Sequence, residues 1–172
     1  MRKFTVATLA AVLLAALTAC TPPDEPIAAL AVQDGRPVGL LYVCRDGFSQ
    51  FSVYVNEPSD GALIDWGVDG DATAGMAEIP LLGPPPEGWQ ADAAPEGSGS
   101  PAATGSGQLA ELRPGVRYAL SGHSESDSMT VKFTTADFDR IGPDQVLAPV
   151  TWDKTKVVAR AAFERVARET CE

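Results

Sequence analysis

Apolar side chains recur at every second residue along much of this chain, the period of strands lying on a core. Ala28 to Val32 and Val38 to Cys44 are apolar runs on either side of Asp34-Gly35. Both turn residues tolerate positive φ, so the pattern predicts a tight hairpin. Arg45-Asp46-Gly47 turns the chain again, and Phe51, Val53 and Val55 then alternate with Ser52, Tyr54 and Asn56. Pro58 to Gly61 breaks the pattern, which resumes at Ile64, Trp66 and Val68. Ala77, Ile79 and Leu81 form a shorter run ending at Pro84-Pro85-Pro86. Val116, Tyr118 and Leu120, then Met129, Val131 and Phe133, alternate around a turn at Gly122 to Asp127. A mainly β, antiparallel domain is expected.

Two segments depart from this period. Residues 90–107 hold Ala, Pro, Gly and Ser with two acids and no large apolar side chain, and read as a flexible loop. A binding lid is the other reading, although the segment offers little to grip with. Near the carboxyl end, Val158, Ala159, Ala162, Phe163 and Val166 share one helical face, with Arg160, Glu164 and Arg168 opposite. Asp153 offers a capping acid. One C-terminal α-helix over 153–170, laid on the strands, is expected. A helix that binds a partner is the alternative.

Leu112-Arg113-Pro114-Gly115-Val116-Arg117-Tyr118, followed by Val131-Lys132-Phe133-Thr134-Thr135, resembles the end of a fibronectin type III domain. In that family the leucine packs in the core, Pro-Gly makes the corner, and the tyrosine hydroxyl bonds back to backbone. The upstream half departs from the family, with only Trp66 able to stand for its strand-B tryptophan. The resemblance implies an immunoglobulin-like β-sandwich and carries no activity with it.

The amino terminus has another character. Arg2 and Lys3 precede an apolar run from Phe4 to Leu17, and Thr18-Ala19-Cys20 follows. The run is about 14 residues, short of the ~20 that a spanning helix needs. Leu17-Thr18-Ala19-Cys20 resembles the lipobox of bacterial lipoproteins, where the chain is cleaved before the cysteine and its thiol is acylated. An ordinary secretory signal peptide competes, but Leu17 is too large for the small-residue position of such a site. The resemblance implies a signal peptide over 1–19, lipidation of Cys20, an acylated tether over 20–27 and one domain over 28–172. It places the protein on the extracytoplasmic face of a membrane, where one acyl chain alone would hold only marginally. With Cys20 given to lipid, Cys44 and Cys171 remain in an oxidising compartment, and a disulfide between them is expected. Two buried free thiols are the alternative.

Charge narrows the partners. The chain has 13 Lys and Arg against 23 Asp and Glu. Removing Arg2 and Lys3 leaves 11 against 23, a net charge of −12. That balance disfavours nucleic acid and anionic lipid headgroups.

Candidate chemistry is sparse. Gly122-His123-Ser124-Glu125-Ser126 is superficially like a nucleophile elbow, but Ser126 replaces the final glycine. His123 is the chain's single histidine, so no second one can serve Ser124 as base. The same count excludes three-histidine metal sites. Asp69-Gly70-Asp71 begins like a calcium loop, and Asp65, Asp71 and Glu78 lie nearby in sequence. Ala74 and Pro80 stand where the loop needs glycine and glutamate, so a solvated acidic turn is expected. Trp66 sits on an apolar face. Trp89, beside the prolines, is the tryptophan expected at the surface and able to contact a ligand. No cofactor is implied. These features suggest a non-catalytic protein-interaction or envelope-structural module, with a protein partner in the envelope. A small-ligand-binding accessory lipoprotein is the alternative.

Overall fold

A computed structural model describes residues 24–56, 65–91, 109 and 111–172. Residues 1–23, with the signal-peptide segment and Cys20, lie outside the described residues. So do 57–64, with Pro58 to Gly61 and Ile64, and 92–107 of the expected loop. The hairpin forms as the pattern indicates, from β1 (Ala28–Gln33) and β2 (Arg36–Val43). Asp34 and Gly35 between them have φ of 50° and 74°. Two positive values are what a two-residue turn needs to match the strands' twist.

Along the chain follow β3 (Gly47–Val55), β4 (Asp65–Ala72), β5 (Gly75–Pro80), β6 (Trp89–Ala91), β7 (Tyr118–His123) and β8 (Val131–Phe133). After a 3-10 turn over Thr135–Arg140 come β9 (Gln145–Thr151), β10 (Lys154–Ala159) and α1 (Arg160–Thr170). One antiparallel sheet has the order β10-β9-β1-β2-β5, the other β6-β4-β3-β7-β8. The fold is a mainly β sandwich with one C-terminal helix. Within it β1-β2-β5 and β4-β3-β7-β8 follow the A-B-E and C′-C-F-G strand neighbours of immunoglobulin domains.

The core lies between the sheets, where Phe51, Val53, Leu41, Leu120 and Tyr118 are buried. A methyl on Gly39 would sit 2.1 Å from the Phe51 ring, and one on Gly122 2.5 Å from Leu41. Hydrogen atoms at these two positions let the sheets meet. The Tyr118 ring stacks on Phe133 with centroids 5.5 Å apart, and its hydroxyl accepts the Arg113 N–H at 2.7 Å. This is the corner that the fibronectin-like segment implies. On the other face of the first sheet, α1 buries Phe163 and Ala167, giving a helix–sheet–sheet stack. Arg160 at its start pairs with Glu78 of β5 and, at 2.9 Å, with Glu164.

Six expectations change. The helix begins at Arg160, not Asp153, because 154–159 pair with β9 as an edge strand. Thr155, Val157 and Val158 are β-branched and favour the pleat. Asp153 sits in the hairpin turn, accepting the Thr151 hydroxyl at 2.8 Å instead of capping a helix. Val166, expected on the buried face, is exposed. The tether expected over 20–27 gives way from Asp24 onward, since Ile27 is fully buried and Glu25 bridges to Ser128. Gln90 and Ala91, expected in the loop, belong to β6, which pairs with β4. Asp69 and Asp71, expected in an acidic turn, lie within β4.

Cys44 and Cys171 are joined as a disulfide, with Cα atoms 5.1 Å apart. It ties the end of β2 to the residue that closes α1. The expected pairing is the one in the structure.

Candidate functional site

The outer face of the second sheet carries a row of polar side chains in lateral register. Gln90 of β6 stands opposite Asp69 of β4, Asp69 opposite Gln50 of β3, and Gln50 opposite His123 of β7. A bridge places Asp127 opposite His123. Phe51, Val53 and Val68 face the core, so their neighbours Gln50, Ser52 and Asp69 face outward. Strand register therefore assembles five polar groups from four strands and a turn. A parallel row follows on one side, Ser52 with Ser121, whose hydroxyl oxygens are 3.1 Å apart. On the other side Phe48 pairs with Asp71 and is 55% exposed.

Two clefts adjoin along this row. One, of about 350 Å³, is lined by Asp24, Gln50, Ser52, Ser121, His123 and Asp127. The other, about 540 Å³, is lined by Phe48, Asp69, Asp71, Trp89 and Gln90. Local bonding fixes several of these groups. His123 Nδ1 and an Asp127 carboxylate oxygen are 2.8 Å apart, and Gln90 donates to Asp69 at 3.4 Å. Ser128 is buried at the cleft floor, where its hydroxyl accepts the Gly122 N–H at 2.7 Å. Burial, then the nearby Asp127 charge, raises the Asp24 carboxyl above its ordinary range. A ligand bringing hydroxyl or amide donors, or positive charge, would relieve that pair.

The residues singled out in the sequence are distributed unevenly. Asp69 and Asp71 are on this face, and Asp65 opens β4 on the same strand. Glu78 is on the other sheet, held by Arg160 and Gln33, so the four acids do not gather. Among the described residues no three acidic, histidine or cysteine side chains converge in a metal-binding arrangement. Trp89 is only half-buried at the cleft edge, packed against the core beside Gly70. Trp152 is the exposed tryptophan, at 60%. Ser124 is buried, and the His123 bond is to Asp127.

Asp24, Phe48, Gln50, Ser52, Gln90, Ser121, His123 and Asp127 are not expected as site residues from the sequence alone. Phe48 breaks the β3 alternation by facing out with Gln50, a signal present in the sequence. The row itself needs register between strands far apart along the chain. No protein-family model, curated protein or solved structure matches this chain.

Proposed function

We propose that the protein is a lipid-anchored extracytoplasmic module that acts by binding, not catalysis, and that an envelope protein partner docks on the open face of its second sheet. The lateral row Gln90, Asp69, Gln50, His123 and Asp127 carries this reading. An outward sheet face only has to be soluble. Scattered charges would do that, whereas this face concentrates amides, carboxylates, hydroxyls and an imidazole around one exposed phenylalanine. Polar groups around an aromatic anchor are the makings of an interaction surface.

The lipobox resemblance at Cys20 supports the anchor, and the Cys44–Cys171 bond suits an oxidising compartment. A second reading, capture of a small polar ligand, is favoured by the 350 Å³ cleft, which falls within the usual range for ligand sites. A photo-crosslinking residue placed at Gln50 in the intact cell tests both. A discrete protein adduct, absent when the probe sits at exposed Arg36, supports the protein-partner reading. A small-molecule adduct moves the assignment to ligand capture. Equal, diffuse labelling from both positions refutes the face as a binding surface.

A further inference from the structure

The opposite side of the molecule has a surface of different chemistry. At the tip of the β9–β10 hairpin, Val150 and Trp152 are 56% and 60% exposed, and Val166 on α1 is 40% exposed. An apolar groove of about 160 Å³ runs between hairpin and helix, bordered by Ala148, Val158, Ala162, Val166 and Pro26. The charge distribution is uneven here. Beyond Cys20 the strongly acidic chain has three lysines, Lys132, Lys154 and Lys156. Two of them lie on this hairpin, and the third is beside it on the outer face of the second sheet. Lys154 and Lys156 are on β10, and Lys132 is on adjacent β8, its carbonyl 3.5 Å from the Thr155 hydroxyl. Asp153 in the turn is an opposing charge, and Arg165 at the groove is paired with Glu169 at 3.6 Å.

An exposed tryptophan and valine flanked by lysines have the composition of a membrane-interface anchor. The route of the chain identifies the occupant. Pro26 borders the groove, and Cys20 is six residues before it. At no more than about 3.6 Å per residue, six residues reach at most roughly 22 Å, so lipid on Cys20 would keep Pro26 close to its bilayer. We infer that this hairpin and groove rest on the anionic bilayer surface to which Cys20 is attached. This rests on the proposed lipidation of Cys20. The net charge of −12 does not oppose it, because screening confines attraction to about 8 Å and within the hairpin Lys154 and Lys156 outnumber Asp153. Docking there turns the α1 side toward lipid. The polar face of the second sheet, on the far side of the stack, then points away from the membrane and toward a partner.

The test uses the full acylated chain in vesicles of phosphatidylcholine with brominated acyl chains, with and without phosphatidylglycerol. Trp emission is compared between wild type and Trp152→Phe, and flotation reports anchoring. The expected result is bromine quenching that Trp152→Phe removes and phosphatidylglycerol strengthens. Lys154→Gln and Lys156→Gln should each lower the ratio of docked to undocked protein about fivefold. Flotation without Trp152 quenching overturns the docking and leaves the anchor standing. Failure to float overturns both. A crosslink from position 152 to a second copy, in place of lipid, also overturns the inference.

Discussion

Replacing Cys44 and Cys171 together by alanine removes a crosslink between residues 127 apart. In the chain-entropy treatment, closing a loop of that length restrains the unfolded state by about 5 kcal/mol at 25 °C. The folded state loses less. The Cys171 N–H donates to the Ala167 and Arg168 carbonyls, bonds that need no sulfur. Phe163 and Ala167 still hold α1 on the sheet. The double variant should therefore keep its fold and lose about 3–5 kcal/mol, a large share of the roughly 5–15 kcal/mol typical of a domain. Urea unfolding of the oxidised protein and the variant, followed by circular dichroism, measures this. The variant should also unfold with a steeper denaturant dependence, because its unlinked chain exposes more surface. A loss below about 1 kcal/mol, or two free thiols in the non-reduced protein, would refute the reasoning.

Other perturbations probe other layers. Tyr118→Phe deletes the acceptor for the Arg113 N–H and should cost about 1–2 kcal/mol by the same unfolding assay, with the stack on Phe133 kept. Gly39→Ala forces a methyl against the buried Phe51 ring and should cost about 1–3 kcal/mol, which Phe51→Leu in the same chain should partly restore. Phe163→Ala should cost about 3 kcal/mol and raise hydrogen exchange across α1 first. The Arg160 guanidinium, then the Gln33 amide, donates to Glu78 and holds its carboxyl below the ordinary 4.5. A depressed folded-state value means this contribution is full above 4.5 and lost as pH falls through the lower folded value. Melting temperature should accordingly drop less steeply with acid in Glu78→Gln than in wild type.

Local chemistry made much of the fold readable. Asp34-Gly35 can form few turns other than a tight hairpin, and Phe51, Val53 and Val55 alternate with polar neighbours because one sheet face is wet. Tyr118 was legible through its corner, a contact five residues away in sequence. The carboxyl end was harder. Val158, Ala162 and Val166 fit a helical stripe by spacing, yet Val158 pairs with Val146 in a strand and Val166 faces out. Pairing with β9 outweighed local period there, and the β-branched Thr155, Val157 and Val158 were the sign of it. Ile27, a single isoleucine after three prolines, has no local pattern to mark it as core. It is buried by elements distant along the chain. The polar row was the least legible feature. Each member looks like an ordinary surface residue, and only register across β6, β4, β3 and β7 aligns them.

The proposed function requires the folded domain to be tied by lipid on Cys20 to a membrane outside the cytoplasm. Intact-mass analysis of the amino-terminal peptide from membrane-extracted protein tests that most directly. Cleavage after Ala19 with fatty acyl mass on Cys20 is the predicted result. A peptide that begins elsewhere, or a Cys20 thiol carrying no lipid, would contradict it.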